Sequence, residues 1–192
     1  MPFSKLLTLL LLLGLGACQS KEGSLATSVV AEDSLTLVPE KGLVFFHNVP
    51  FSGSAVSYYP NGTKATQTTY MNGKKDGPYQ KWYNTGLLSF ESNYVDGKID
   101  GVQYSWWKDG KLRSESHYRR GVPHGLQQQW YGSGVIFKRL HLVDGKEEGL
   151  QQSWRRNGKL YSNYEAKNGR IFGLKRANLC YELEDEKVLY ND

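Results

Sequence analysis

Glycine recurs at a fixed step of 24 residues through most of this 192-residue chain. Three separate columns keep the step: Gly53, Gly77, Gly101, Gly125, Gly149 and Gly173; Gly62, Gly86, Gly110, Gly134 and Gly158; and Gly73, Gly97, Gly121, Gly145 and Gly169. An aromatic column has the same spacing and comprises Tyr58, Trp82, Trp106, Trp130 and Trp154. A period of this length, kept without insertion, predicts a stacked repeat architecture.

Each copy is predicted to form one β-hairpin, with glycines marking its turns. Asn61-Gly62 stands at one turn and Asn72-Gly73 at the other, and later copies carry Asn or Asp before most of the same glycines. Tight hairpins favour such pairs because these residues tolerate positive φ at low cost. The turns therefore punctuate the chain at regular intervals.

The segments between the turns alternate with the period of two that is typical of strands. In VQYSWW, residues 102–107, Trp106 faces one side of the predicted sheet and Trp107 the other. The returning segment is predicted to place Ser114 and Ser116 where the tryptophan column needs room. We therefore predict an all-β fold: an elongated antiparallel β-meander of 24-residue hairpins in a single curved sheet. The Trp106 column is predicted to be buried, and the opposite face partly exposed.

The first 17 residues are almost uninterruptedly apolar, and small residues precede Cys18. This segment resembles a bacterial lipoprotein signal peptide, and the resemblance implies that Cys18 is lipidated after cleavage. An ordinary secretory signal or a short membrane anchor remains an alternative. Gln19, the residue after the cysteine, resembles the sorting signal of lipoproteins that are directed to the outer membrane. The predicted location is therefore the bacterial cell envelope, with the chain held in the outer membrane by a lipid anchor.

The rest of the chain divides by composition. Residues 18–36 are rich in Ser, Ala, Thr and Glu and are predicted to form a flexible tether. Residues 37–176 form the repeat array, which includes a leading half-repeat that places Asn48 one step before Asn72. Residues 177–192 form a closing cap with an acidic tail. Cys180 lies in this cap and is predicted to be a buried apolar residue; a redox or metal-handling thiol and an intermolecular bridge are the alternatives.

Charge is unevenly distributed along the chain. From Gly53 to Arg176 there are 20 Lys and Arg against 10 Asp and Glu, whereas residues 177–192 have 1 against 5. Basic surface interleaved with aromatic residues can indicate nucleic-acid binding, but an exported chain meets little nucleic acid. The sequence favours an anionic lipid, an envelope polymer or a protein as the partner.

No catalytic, metal or cofactor site is predicted. One column of titratable residues precedes the first glycine of successive copies and comprises Asp76, Asp100, His124 and Glu148. Equivalent residues of neighbouring copies are two strands apart, roughly 9.5 Å, so they cannot share a proton or a metal ion. The same argument applies to His117 and His141. These residues are predicted to be solvated turn residues, and the chain is predicted not to be an enzyme.

Several segments resemble the membrane-occupation-and-recognition-nexus (MORN) repeat, in the bacterial variant found in YwqK-like proteins. They are YYPNG at 58–62, NGKKDGPYQKWYNTG at 72–86, WWKDGKLRSESHY at 106–118 and NGKLYSNY at 157–164. The resemblance implies a hairpin-repeat fold and a role in binding. It also suggests an antitoxin or immunity-like role, although an exported lipoprotein is poorly placed to neutralise a cytosolic toxin.

Two surfaces are predicted as candidate binding sites. A basic strip follows the third glycine column and consists of Lys74, Lys98, Lys146 and Arg170. An aromatic partner face follows the tryptophan column and consists of Tyr59, Tyr83, Trp107 and Tyr131. The favoured hypothesis is a non-catalytic scaffold for a protein partner. The alternatives are a binder of anionic lipid or envelope polymer through the basic strip, and a toxin-neutralising protein.

Overall fold

The structure is a computed structural model and describes residues 28–174, which are almost entirely β. The strands are β1 Val29–Ala31, β2 Thr36–Val38, β3 Leu43–Phe46, β4 Val49–Pro50, β5 Gly53–Tyr58, β6 Lys64–Met71, β7 Lys74–Trp82, β8 Leu88–Val95, β9 Lys98–Ile99, β10 Gly101–Trp106, β11 Leu112–Arg119, β12 Val122–Trp130, β13 Ile136–Val143, β14 Lys146–Glu147, β15 Gly149–Trp154, β16 Leu160–Lys167 and β17 Arg170–Leu174. A 3₁₀ helix, Glu32–Ser34, follows β1. In this part of the chain no helix has the length and apolarity needed to cross a membrane.

Successive hairpins form one large open sheet, which confirms the predicted all-β hairpin meander. The strand order is β1-β5-β6-β7-β8-β10-β11-β12-β13-β15-β16-β17, with β9 beside β8 and β14 beside β13. All five hairpins share one register, in which the first glycine lies opposite the residue 17 positions later, as Gly101 lies opposite Tyr118. The 24-residue sequence period is therefore also the period of the structure.

The two turns of a repeat have different chemistry. At the second turn Asn72 and Gly73 both have positive φ, of 50° and 82°, which is the type I′ geometry that matches strand twist. At the first turn only Gly62 does, with φ of 80°. There the Asn61 side chain accepts a hydrogen bond from the Thr63 N–H at 3.1 Å, an Asx turn. The first glycine column marks no turn, because Gly77 lies inside β7 where the pairing with β6 shifts.

A bulge in each returning strand corrects the predicted assignment of faces. Ser105 lies opposite Ser114, but Trp106 lies opposite Leu112, so Arg113 is the extra residue. Directly opposed residues share a face. Ser114 and Ser116 therefore lie on the face of Ser105 and Gln103, and the prediction that they make room for the tryptophan column is wrong. We call the face of Ser105 and Ser114 the serine face and the opposite one the tryptophan face.

The most buried side chains lie on the serine face. Ala55, Thr68, Ser92 and Gln151 are at most 1% exposed, whereas the tryptophans from Trp82 to Trp154 are only half-buried. The prediction that the tryptophan column forms the buried side is therefore wrong. Among the buried polar side chains of the described residues, Gln151, Ser153 and Ser162 are hydrogen-bonded, whereas Ser92 Oγ has no partner.

The segment before the first repeat differs from the prediction. The tether was predicted to reach residue 36, but β1 pairs in parallel with β5 and the 3₁₀ helix follows it. Residues 36–50 form a separate three-stranded sheet, β2-β3-β4, and do not join the main sheet as a half-repeat. Its turn has positive φ at His47 and Asn48, one residue earlier than the repeat step predicts.

This N-terminal segment covers the beginning of the array. Val30 and Leu35 pack against a buried cluster of Phe51, Ala55 and Tyr70. The repeat pattern begins at Phe51, because the Gly73 N–H donates to the Phe51 carbonyl just as the N–H groups of Gly97, Gly121 and Gly145 donate to the carbonyls of Lys75, Ile99 and Pro123. The predicted signal segment 1–17, Cys18, Cys180 and the cap 177–192 lie outside the described residues.

Candidate binding groove

One row of side chains crosses the serine face from repeat to repeat. Each member lies directly opposite the next on the neighbouring strand, from β5 to β16. We call this set the cross-strand row: Ser57, Thr66, Lys81, Phe90, Ser105, Ser114, Gln129, Lys138, Ser153 and Ser162. Three of its serine or threonine pairs are hydrogen-bonded across a hairpin, and Ser105 Oγ lies 2.6 Å from Ser114 Oγ.

A groove of about 480 Å³ lies over the middle of this row. Its floor is formed by Phe90, Ser105, Ser114 and Gln129, one residue from each of β8, β10, β11 and β12. The floor is thus continuous across four strands. It combines one aromatic ring with small hydroxyls and an amide.

The wall of the groove comes from residues at equivalent positions of two repeats. Trp107 and Tyr131 begin the first turns, and Arg113 and Phe137 are the bulge residues of the returning strands. The Arg113 guanidinium lies 4.7 Å from the Trp107 ring centroid, and the Tyr131 and Phe137 rings are 5.0 Å apart. The bulge is what turns Arg113 and Phe137 toward the groove.

The predicted aromatic face has a structural role in every copy. Each member donates a hydrogen bond to the tryptophan carbonyl of the next repeat, in the pairs Tyr59 to Trp82, Tyr83 to Trp106, Trp107 to Trp130 and Tyr131 to Trp154, at 2.7–3.3 Å. These bonds hold neighbouring hairpins together and fix the rings. Trp107 and Tyr131 also line the groove, whereas Tyr59 and Tyr83 do not.

Cations near the groove rest on aromatic rings. Lys81 lies over Tyr79, Lys138 over Phe137 and Arg156 over Tyr131. A hydrogen bond with Tyr79 raises the pKa of Lys81, so that side chain stays charged. Among the described residues, these three cations and Arg113 form no ion pair with a carboxylate. The groove is therefore bordered by cations that form no ion pair within residues 28–174, although Glu32, which is hydrogen-bonded to Thr66, acts electrostatically on Lys81.

The predicted basic strip lies on the edge formed by the second turns, and acids interrupt it. Lys74 Nζ is 2.6 Å from Asp96 Oδ1, and this contact lowers the pKa of Asp96. Arg119 likewise pairs with Asp144 and lowers its pKa. Lys98, Lys146 and Arg170 are exposed along the same edge. Acidic and basic side chains thus both lie along this edge.

Two segments of the chain match the family described as the MORN repeat variant, at residues 52–72 and 99–120. Both run from the first strand of a hairpin to the second turn, and the other three hairpins have the same register. The match supports a MORN-repeat protein. No curated protein matches the chain.

A column of acceptors stabilises the second turns of the hairpin array. The Asp96 N–H donates to Asp76 Oδ2 at 3.0 Å, and the Arg120 N–H donates to Asp100 Oδ1 at 2.8 Å. The same contact recurs from Asp144 to His124, from Asn168 to Glu148 and from Asn72 to Ser52. The prediction that Asp76, Asp100, His124 and Glu148 are merely solvated is therefore wrong. Each accepts the first N–H of its own repeat's type I′ turn.

The histidines of the array have structural partners. His117 Nε2 lies 3.0 Å from Glu115 Oε1, and His141 Nδ1 lies 2.9 Å from the Glu148 carbonyl. Within residues 28–174 no cluster of His, Cys, Asp and Glu could hold a metal ion. The lining of the groove combines amides, hydroxyls, one guanidinium and aromatic rings.

The repeat pattern of the sequence pointed to Trp107 and Tyr131 but not to the cross-strand row. A signal was present, because Ser57/Thr66, Ser105/Ser114 and Ser153/Ser162 share one separation of nine residues within their repeats. Arg113 and Phe137 could not be recognised from alternation. They are bulge residues, and a bulge breaks the period of two.

Proposed function

We propose that this chain is a non-catalytic binding scaffold, anchored by lipid at Cys18 in the outer membrane of a bacterial cell, that holds a protein partner in the groove. Repeats of the matched family generally serve in binding and scaffolding. The observation that carries the proposal is the groove itself. It is a concave surface on a regular sheet, and its rings are held in place by hydrogen bonds between repeats.

The composition of the groove supports a protein partner. Tryptophan, tyrosine and arginine contribute most of the binding energy in protein interfaces, and Trp107, Tyr131 and Arg113 all line this site. Rings that are already fixed lose little side-chain entropy when a partner binds. The Tyr131 hydroxyl donates to the Trp154 carbonyl at 2.9 Å and thus fixes its ring before any contact.

Site-specific photo-crosslinking tests the proposed site in cells. A photoreactive residue at Gln129, on the floor of the groove, is expected to give a discrete protein adduct. The matched control is Gln128, the adjacent residue, which faces the other side of the sheet and is expected to give none. Equal adducts from both positions, or an adduct from Gln128 alone, would contradict the groove as the partner site.

The anchor is tested separately. Cys18→Ser is expected to move the protein from the membrane fraction to the soluble fraction of the envelope, with an unchanged melting temperature, because Cys18 precedes every described strand. Labelled palmitate incorporated by the wild type and not by the variant is the second readout. Wild-type protein found unlabelled in the cytosol would contradict the envelope location and favour the toxin-neutralising alternative.

A further inference from the structure

We infer that the groove takes an extended, acidic segment of the partner protein, laid across the strands along the cross-strand row. This inference rests on the proposed function and specifies which part of a partner the site selects. Three features of the serine face support it: the continuous course of the row, the positive charge around the groove, and two side-chain amides without partners among the described residues.

The row has the geometry of a track for an extended chain. Its floor residues lie on adjacent strands, which are spaced about 4.8 Å apart. The four floor positions from Phe90 to Gln129 thus span roughly 14 Å, a length that about four extended residues cover at roughly 3.3 Å each. The same row continues on both sides through Lys81 and Lys138. A longer segment therefore meets a lysine at either end of the groove.

The charge around this track selects acidic residues. Arg113 is exposed and contacts the Trp107 ring, and no described carboxylate pairs with it. A guanidinium stacked on a ring keeps its N–H edge available, and that edge binds a carboxylate through two parallel hydrogen bonds. On the second-turn edge, by contrast, Lys74 and Arg119 already have acidic partners. The groove is therefore the better site for an incoming carboxylate.

Two glutamine side chains that line the groove, Gln103 and Gln129, can form hydrogen bonds with the backbone of such a segment. Gln127 and Gln151 donate to the carbonyls of His117 and His141, both at 2.8 Å. Gln103, at the equivalent position in the preceding repeat, makes no such bond among the described residues and lines the groove with Gln129. Each amide offers both a donor and an acceptor, which a peptide backbone needs when it leaves water.

The groove favours a segment over a flat surface. Its rings and amides surround a volume of about 480 Å³ below the first-turn wall, so only a narrow chain reaches the floor. A lipid surface would contact the exposed turns instead. An acidic polysaccharide is also a narrow chain, and the experiment below separates it from a peptide.

The test uses defined probes and the full chain. The binding of a fluorescein-labelled ten-residue peptide of alternating Glu and Ala is measured by anisotropy, beside a peptide with Gln in place of Glu. At low ionic strength the Glu peptide is expected to bind at least about tenfold more tightly, and added salt is expected to reduce the difference. Arg113→Gln is expected to weaken binding of the Glu peptide by at least about tenfold, because the charge-assisted contact between the guanidinium and a carboxylate is lost, and to leave binding of the Gln peptide unchanged.

Two matched controls locate the effect. Arg119→Gln and Lys98→Gln each remove a cation from the second-turn edge and are expected to leave binding of the Glu peptide unchanged within about twofold. Equal binding of the two peptides would overturn the inference, as would equal losses from Arg113→Gln and Lys98→Gln. Tighter binding of polygalacturonate or of phosphatidylglycerol vesicles than of the Glu peptide, with the same dependence on Arg113, would also overturn it.

The experiments distinguish a failure of the acidic-segment inference from a failure of the proposed function. Crosslinking at Gln129 does not depend on the charge of the partner. A Gln129 adduct combined with equal binding of the two peptides would retain the partner site and reject the acidic segment. Absence of an adduct from Gln129 would reject the partner site itself.

Discussion

Gly73→Ala is expected to lower the free energy of unfolding by about 2–5 kcal/mol, as measured by urea denaturation. Gly73 is buried and has φ of 82°, where an added Cβ is strained by about 1–2 kcal/mol. That Cβ would lie 2.9 Å from the Val44 carbonyl oxygen and 3.0 Å from Leu43 Cβ. Because those neighbours belong to the covering sheet, the crowding adds roughly 1–3 kcal/mol.

Gly110→Ala is the matched control for this substitution. Gly110 has φ of 83°, nearly the same backbone strain, but an added Cβ there meets no atom within 4 Å. Gly110→Ala is therefore expected to lower the free energy of unfolding by only about 1–2 kcal/mol. If both variants lose the same free energy of unfolding, the β2-β3-β4 sheet does not pack tightly against Gly73. That result would contradict its role as a cover of the array.

Gln151→Leu is expected to lower the free energy of unfolding by about 1.5–4.5 kcal/mol. The His141 N–H loses its partner, at roughly 1–3 kcal/mol, and the His141 carbonyl keeps the Glu148 N–H but loses a second hydrogen bond, at roughly 0.5–1.5 kcal/mol. Gln151 is fully buried. Its amide donates to the His141 carbonyl at 2.8 Å and accepts from the His141 N–H at 3.1 Å. The side chain thus replaces the strand pairing that is missing between two repeats. Leucine fills a similar volume but can bond to neither group.

Gln152→Leu is the control for the second substitution. Gln152 is the next residue, faces the other side of the sheet and is half-buried, and among residues 28–174 its side chain bonds only to that of Asn163, at 3.2 Å. Its replacement is expected to change stability by less than about 1 kcal/mol. Hydrogen exchange at the His141 amide gives a second readout, and undiminished protection in Gln151→Leu would contradict the bridging role of the glutamine.

The two candidate surfaces show which features of the site the sequence could predict and which it could not. Trp107 and Tyr131 were predicted to belong to an aromatic partner face because they follow the aromatic column at a constant step; both line the groove, and their contact with a partner stays a prediction. Their hydrogen bonds to the next repeat were not foreseeable, since the acceptors are backbone carbonyls of residues 23 positions away. Lys74 was assigned to a binding strip, but Asp96 from the next turn pairs with it. Both outcomes depend on how repeats stack.

The sequence by itself determined the period, the hairpins and the second turns. It could do so because positive φ is cheap only for glycine and a few polar residues, and these residues recur every 24 positions. Only the tertiary structure decided which face is buried and where the groove lies. Side chains alternate with a period of two, so the single extra residue at Arg113 moves Leu112 to the tryptophan face. The pairing of neighbouring repeats then brings Ser105, Ser114 and Gln129 into one row, because hydrogen bonding between strands aligns residues that no local pattern connects.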